Sequence, residues 1–416
     1  MNKKLIGIFT TFADMQPSYS LCSVVLDQLH MLVKYNYKPV LFVLPNFKDE
    51  GLVPQGVEVR KVVPQLILEP YKELSYPDHW KEDVQKVKDM CEKNLQDIDI
   101  LICHDIFFID TYLPYNIGLR EAKIKCNFLA WTHSAPSTRP ELTDNPHANR
   151  FHPIPRGKLV YLNHDKALKL AEMYGCWLKD VRTVHNSRDP RTFWGLSNFT
   201  IQLIDKYSIL DADIISTYPL STPRMLGAGK RLEVVIKLHS KLKELGYKTR
   251  LIVPNAHANA QRDQTAIANT QVFAQEQGLE SGDLIFTSQE DEKYLQGVPG
   301  HIVSELFRLS NIFIFPTTSE NSSLVLAEAM CSGNLLVLNS KVGTLREHAG
   351  EKALYFDFDY RDKKEENENY YLDLAKIIAS EFEQDRALQA KKRVFQKQNY
   401  DYVFTKLIEP LFYEYE

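Results

Sequence analysis

Ile312-Phe-Ile-Phe-Pro-Thr-Thr-Ser-Glu320-Asn-Ser-Ser-Leu-Val-Leu-Ala-Glu328-Ala-Met-Cys-Ser-Gly333, continued by Leu335-Leu-Val, is the stretch whose reading decides the fold. Its opening apolar run has strand character and ends at Pro316, where a polar loop takes over. A helix-like stretch begins near Ser323, runs to about Cys331 and stops at Gly333 before a second apolar run. Strand, loop, helix, strand is the unit of a parallel sheet, and in such sheets the loops at the carboxyl ends of strands line the ligand crevice. Glu320 therefore sits over the crevice. Glu328, in the second turn of the helix, is able to face it. The backbone N–H groups of Ser322, Ser323 and Leu324 point at whatever anion lies there.

The same alternation runs through the whole chain. Strand-like runs at Leu5–Phe9, Pro39–Leu44, Val57–Val63, Ile98–Cys103, Asn127–Trp131, Leu159–Leu162 and Val181–Val184 are separated by helix-like stretches. Six more follow at Ile214–Thr217, Arg250–Val253, Leu284–Phe286, Ile312–Phe315, Leu335–Leu338 and Leu354–Phe356. Repeated βαβ units imply an α/β protein with parallel sheets, and this many strands suit two of them. The 416 residues also exceed one ordinary core and fit two domains of roughly 200 each. The boundary falls between Thr192 and Ser208, after the turn-rich His185-Asn-Ser-Arg-Asp-Pro190.

Composition narrows the class. With 44% hydrophobic and 25% charged residues the chain reads as a soluble globular protein, and no run approaches the roughly 18 apolar residues of a membrane span. A net charge of −4 excludes the global basic surface that dominates DNA affinity. Arg182, Arg188, Arg191 and the Arg139–Arg156 region leave room for a local basic groove. Cys22, Cys91, Cys103, Cys126, Cys176 and Cys331 are scattered without metal-ligand spacing and read as reduced thiols; with no export signal at the start, the expected location is cytoplasmic.

A second segment, Ile214-Ile-Ser-Thr-Tyr-Pro-Leu-Ser-Thr-Pro-Arg224-Met-Leu-Gly-Ala-Gly-Lys230-Arg231, runs from a strand through a loop to a helix start. Arg224 and Lys230, six apart, form a guanidinium and ammonium pair suited to one anion, with Arg231 an alternative to Lys230. Surface Arg and Lys are common enough that this pair alone would decide nothing. A third, Phe128-Leu-Ala-Trp-Thr-His133, places a histidine just past the carboxyl end of a strand; His104-Asp105 ends another strand in the same way. Two D-x-D triplets, Asp97-Ile-Asp99 and Asp211-Ala-Asp213, stand at strand starts, the wrong end for a crevice, so no essential metal is expected.

Taken with its neighbours, the opening string resembles the E-x7-E segment of retaining glycosyltransferases of the two-Rossmann-domain (GT-B) type, family 4 in particular. Ser319, Glu320, Leu324, Val325, Glu328, Ala329, Met330, Gly333 and Val337 match that pattern, while Asn321 to Ser323 replace a Gly-containing turn. Val342-Gly343-Thr-Leu-Arg-Glu347 is similar to the stretch that closes the nucleotide pocket, and Asn186 falls where the family has an Asn-containing turn between the domains. The resemblance implies two Rossmann-like domains with an inter-domain cleft: residues 1–200 on the acceptor side, 201–392 binding the nucleotide sugar, and 393–416 as a C-terminal helix crossing back to the first domain.

It also implies a metal-independent, retaining, hexosyltransferase-like transfer from a nucleoside-diphosphate sugar to an acceptor hydroxyl, with no cofactor beyond that co-substrate. Glu328 would bind the ribose diol and Glu320 the donor sugar. Arg224 and Lys230 would hold the departing diphosphate, with His133 near the sugar. Asn186, Ser322, Ser323, Leu324 and Gly343 would line the donor pocket. The first loop, Thr10–Ser20, lacks the family's Gly-Gly pair, leaving Thr11, Gln16 or Ser18 to take its place. The Pro136–Pro155 segment, with Arg139, His147, Arg150 and His152, reads equally as an acceptor loop or a surface excursion. The acceptor stays open between a glycan, a lipid-linked sugar, a small molecule and a modified nucleic acid, as does the oligomeric state. Two rival functions share the architecture: a nucleotide-sugar epimerase, and a non-catalytic sugar-nucleotide-binding protein.

Overall fold

The computed structural model describes residues 3–16, 18–68, 79–134, 150–226, 229–358 and 367–414. The chain divides into two compact units, 1–188 with 398–416, and 189–397.

In the first unit β1 (Leu5–Phe9), β2 (Lys38–Val43), β3 (Glu58–Lys61), β4 (Ile100–His104), β5 (Asn127–Thr132), β6 (Gly157–Tyr161) and β7 (Val181–Thr183) form one parallel sheet in the order β3-β2-β1-β4-β5-β6-β7. Period-2 alternation sends Phe9, Phe42, Leu101 and Phe128 to one face. Ile8, Leu41, Ile102 and Leu129 go to the other, so both faces are buried and the strands read as near-continuous apolar runs. Helices α1 (Ser20–Lys34), α2 (Trp80–Asn94), α3 (Leu113–Glu121) and α4 (Ala167–Met173) belong to this unit. Val25 and Leu29 of α1 pack on the second face together with Tyr400, Val403, Phe404 and Ile408 from the end of the chain.

In the second unit β8 (Ile214–Thr217), β10 (Thr249–Val253), β12 (Leu284–Phe286), β13 (Ile312–Phe315), β14 (Leu335–Asn339) and β15 (Leu354–Phe356) form a parallel sheet ordered β12-β10-β8-β13-β14-β15. A separate two-stranded pair joins β9 (Leu220–Ser221) to β11 (Asn255–Ala256). The helices are α5 (Pro190–Phe193), α6 (Asn198–Tyr207), α7 (Leu232–Glu244), α8 (Gln261–Glu276), α9 (Gly300–Leu309), α10 (Leu324–Cys331), α11 (Gly343–Ala349), α12 (Glu368–Gln384) and α13 (Arg386–Lys397). Strands β8 and β13 register through Ile312 and Ser216 alone. Below that point the Asn311 side chain takes over the ladder, accepting from Ile215 N–H at 2.9 Å and donating to the Asp213 carbonyl at 2.8 Å.

All thirteen strand-like runs of the sequence are strands, five with the same ends and the rest with ends shifted by at most two residues. The two-residue strands β9 and β11 are too short to leave a periodic signal. The division between units precedes residue 200 because α5 and α6 belong to the second unit, where Leu196, Phe199, Leu203 and Ile204 pack with Ile215, Ile252 and Ile285. Helix α13 likewise stays with the second unit, and only the chain from Gln398 onward returns to the first. Among the described residues no helix is long and apolar enough to cross a membrane.

Candidate functional site

In each sheet one strand has neighbours on both sides whose connections leave in opposite directions, β1/β4 in the first unit and β8/β13 in the second. Such a switch point opens a crevice at the carboxyl ends of the two strands, where ligands of open α/β sheets bind. The loops that leave the second of these points carry Lys230, after β8, and Glu320, after β13.

These two side chains meet. Lys230 Nζ lies 2.7 Å from Glu320 Oε2, with 20% and 18% of the side chains exposed, and the ammonium sits 5.1 Å above the Phe315 ring centroid. The two loops are pinned before the ions are considered. The Gly229 carbonyl accepts from the Thr318 N–H at 3.0 Å and the Thr317 hydroxyl at 3.1 Å, and Tyr218 OH donates to the Lys230 carbonyl. Asn339, 2% exposed at the end of β14, donates to the Thr317 carbonyl at 3.0 Å, and its side-chain oxygen accepts from Lys341 N–H at 3.1 Å. A charge pair positioned by that many neutral bonds costs little reorganisation when a charged ligand arrives.

Lys230 and its neighbour Arg231 are placed differently. Arg231 takes a left-handed conformation at φ 57° and is buried. Its guanidinium bonds Glu233 at 2.9 Å and the Phe358 carbonyl at 2.6 Å, so it is a structural staple. Arg224 lies exposed in the helical turn 222–226 and makes no hydrogen bond or ion pair among the described residues. The guanidinium and ammonium therefore stand in different states, Lys230 paired with Glu320 and Arg224 open to solvent.

Helix α10 is capped by Ser323, whose Oγ accepts from Leu326 N–H at 3.1 Å, leaving the hydroxyl proton to donate elsewhere. Ser322 and Leu324 are exposed beside it, Leu324 at 77%, so what Leu324 offers is its N–H and not its side chain. Glu328 is also exposed, and partial burial of its carboxyl raises its pKa above the ordinary glutamate range. Gly333 ends this segment at φ 68°, a left-handed turn that explains the glycine. Gly343 is exposed at the first position of α11, which Leu345 and Ala349 anchor in the core.

The first unit builds a separate polar cluster at its own switch point. His133, one residue past β5, has Nε2 2.9 Å from His104 Nδ1, and His104 Nε2 lies 2.9 Å from Gln28 Oε1 on α1. Asp105, left-handed at φ 56°, accepts from the N–H of His133 at 2.8 Å and of Ser134 at 3.4 Å, holding the turn that presents the histidine. Burial lowers the pKa of His133 to about 4 and that of His104 well below the usual value, so both rings are neutral near pH 7. His104, secondary in the sequence, is thus the centre of this cluster. The signal that could have found it is the pair of histidines closing adjacent strands. Gln28 carried no signal.

Other sequence candidates are placed as follows. Asn186 is exposed, and its neighbour Ser187 donates to Asp27 at 3.2 Å. Thr11 lies 3.3 Å from Tyr112 OH, and Gln16 bonds Asp14 at 3.3 Å. Arg150 is buried with its guanidinium on the Phe108 carbonyl at 2.7 Å, which removes it from any acceptor surface, while Arg139 and His147 lie outside the described residues. Of the basic residues offered for a local groove, Arg182 pairs with Glu414 at 2.8 Å and Arg191 is buried against Asp189 at 2.9 Å, while Arg188 is exposed. Both D-x-D triplets serve the fold. Asp97 pairs with Arg60 at 2.6 Å, Asp99 accepts from Leu5 N–H at 2.7 Å, and Asp213 pairs with Lys392 at 2.9 Å.

No known protein family has a sequence profile that matches the chain. No curated protein matches it in sequence. Among solved structures it is similar to a glycosyltransferase from Rickettsia africae, at 11% identity over 100% of this chain and 99% of that chain, with a TM-score of 0.38. It is similar to E. coli trehalose-6-phosphate bound with UDP-2-fluoro glucose, at 12% identity, 98% and 99% coverage and a TM-score of 0.35. It is also similar to Anabaena Alr3699/HepE in complex with UDP and glucose, at 13% identity, 98% and 99% coverage and a TM-score of 0.35. Overlaps this loose carry nothing about the chemistry of this chain, which rests on its own residues.

Proposed function

We propose that the protein is a glycosyltransferase that moves a sugar from a nucleoside-diphosphate sugar to an acceptor hydroxyl with retention of configuration and without a metal. The observation that carries this reading is the Lys230–Glu320 pair, 2.7 Å apart on the two loops that leave the β8/β13 switch point. An ammonium and a carboxylate held together there match the two ends of such a donor. The diphosphate needs a cation as its glycosidic bond breaks, and the sugar needs an acceptor for its hydroxyls and its developing positive charge. Arg224, open to solvent on the loop after β9, adds a second cation for the diphosphate. The first N–H groups of α10, on the chain that leads on from Glu320, supply further donors for the diphosphate.

Glu328 takes the ribose diol, for which a carboxylate is a two-point acceptor. Ser322, Ser323, Leu324 and Gly343 line the donor, and His133 of the first unit takes a sugar or acceptor hydroxyl. The departing phosphate oxygen takes the acceptor's proton on the same face of the sugar, so this reaction needs no separate base. The resemblance of Ser319 to Val337 to the family 4 segment supports the retaining outcome.

A panel of UDP-, GDP- and ADP-sugars, read by thermal shift and by release of nucleoside diphosphate, tests the reading. One donor raises the melting temperature and is turned over, and Glu320→Gln lowers that turnover about 100-fold while the protein stays folded. Equal turnover in Glu320→Gln sinks the assignment. Stabilisation by a donor with no release in any acceptor mixture leaves a binding protein instead.

A further inference from the structure

The Gln28–His104–His133 row has a direction. Two neutral imidazoles share two protons among four ring nitrogens, and three of those nitrogens are engaged or assigned by the row itself. The Gln28 oxygen, 2.9 Å from His104 Nε2, can only accept, which puts a proton on that nitrogen. His104 Nδ1 is then bare and must accept, which puts the second proton on His133 Nε2, 2.9 Å away. His133 is left with a bare Nδ1. One amide on α1, 3% exposed, thereby sets the protonation of a ring beyond the carboxyl end of β5.

We propose that Gln28 and His104 are positioning residues that fix His133 as the Nε2–H tautomer, so that it receives its ligand only as a hydrogen-bond acceptor. The ligand group it takes is then a hydroxyl or an N–H, and a carbonyl or phosphate oxygen is refused at that point. Asp105 fixes the backbone of His133 through the 2.8 Å bond to its N–H, while Gln28 and His104 fix its protons, so orientation and tautomer are controlled by different residues. The identity of the ligand as a sugar or acceptor hydroxyl rests on the glycosyltransferase reading; the tautomer does not.

The test therefore begins without substrate. In the full-length chain labelled with nitrogen-15 histidine, ring spectra near pH 7, assigned with His133→Gln and His104→Gln, report the tautomer directly. The expected result is a proton on Nε2 of both His133 and His104. A His133 ring protonated at Nδ1 overturns the proposal whether or not any donor is turned over. Gln28→Leu, which removes the acceptor, lets His133 populate both tautomers and lowers kcat/KM about 10-fold. An unchanged His133 spectrum in Gln28→Leu also overturns it. Should that variant fail to fold, the wild-type spectrum still decides. If no donor is turned over by the wild-type protein, the glycosyltransferase reading fails while the spectra stand.

Discussion

Burial of neutral histidines gives the molecule a pH dependence that can be worked out from single residues. His239 is fully buried on α7 with Nε2 2.9 Å from Ser216 Oγ, and burial lowers its pKa to about 4. His133 is lowered to about 4 in the same way, and His104 further. An unfolded chain holds histidine near 6.5, so between pH about 6.5 and about 4 it binds protons that the folded state refuses. Stability is whole above that window and is lost as pH falls through it. Each such ring loses ~2 kcal/mol by pH 5, at about 1.4 kcal/mol per unit. Asp27 and Asp105, whose carboxyls burial raises above the usual range, act in the opposite sense and recover part of the loss as they protonate. Urea unfolding at pH 7 and pH 5 measures the difference. His239→Leu loses the Ser216 bond and is weaker at pH 7, yet its loss between the two pH values is smaller by ~2 kcal/mol. An identical loss in variant and wild type would show that His239 is not protonated on unfolding.

At the level of elements, α10 joins stability to the proposed donor site through one hydroxyl. Its eight residues have no acidic side chain in the first turn, and Ser323 is the cap. Ser323→Ala costs about 1 kcal/mol of stability, seen as a lower melting temperature. Ser323→Asp caps equally well and melts near wild type. Its carboxylate, however, stands where the diphosphate would lie, and donor binding weakens on the order of 10-fold or more. Wild-type donor affinity in Ser323→Asp would move the phosphates away from this helix.

This is also the scale at which the sequence was most legible. The runs Ile214–Thr217 and Ile312–Phe315 are continuous because parallel strands bury both faces, and Gly333 marks a left-handed turn that other residues avoid. Lys230 and Glu320 could each be assigned to the stretch that leads from a strand to the next helix. Their contact could not, since it depends on β8 lying beside β13, a pairing between strands about 100 residues apart that no local pattern encodes. Arg231, Arg150 and Arg191 show the same limit from the other side. Each looks like a surface cation in sequence, yet each is buried: Arg231 and Arg150 on the distant Phe358 and Phe108 carbonyls, and Arg191 on Asp189 two residues before it.

For the whole molecule, the two units depend on the chain differently. Residues 189–397 are continuous and enclose their own core, including the T-shaped contact of Trp194 with Phe395 at 5.7 Å. The first unit is completed only by 398–416. From that segment Val403, Phe404, Ile408, Leu411 and Phe412 are buried in its core. Phe404 stacks on Tyr35 at 4.6 Å, Tyr400 OH donates to Asp27 at 2.7 Å, and Tyr37 OH donates to Glu409 at 2.8 Å. Five buried side chains of this size contribute on the order of 10 kcal/mol, as much as the net stability of an ordinary domain. Ending the chain after Lys397 should therefore unfold the first unit and spare the second. In calorimetry of residues 1–397 the transition belonging to 189–397 persists, while that of 1–188 is lost, and limited proteolysis cuts within 1–188 first. Two transitions at the full-length temperatures would show that the returning segment decorates a core already complete. The same shortened chain separates the proposed roles of the units, because a donor held through Lys230, Glu320 and Glu328 still raises the melting temperature of 189–397 while transfer to an acceptor is lost.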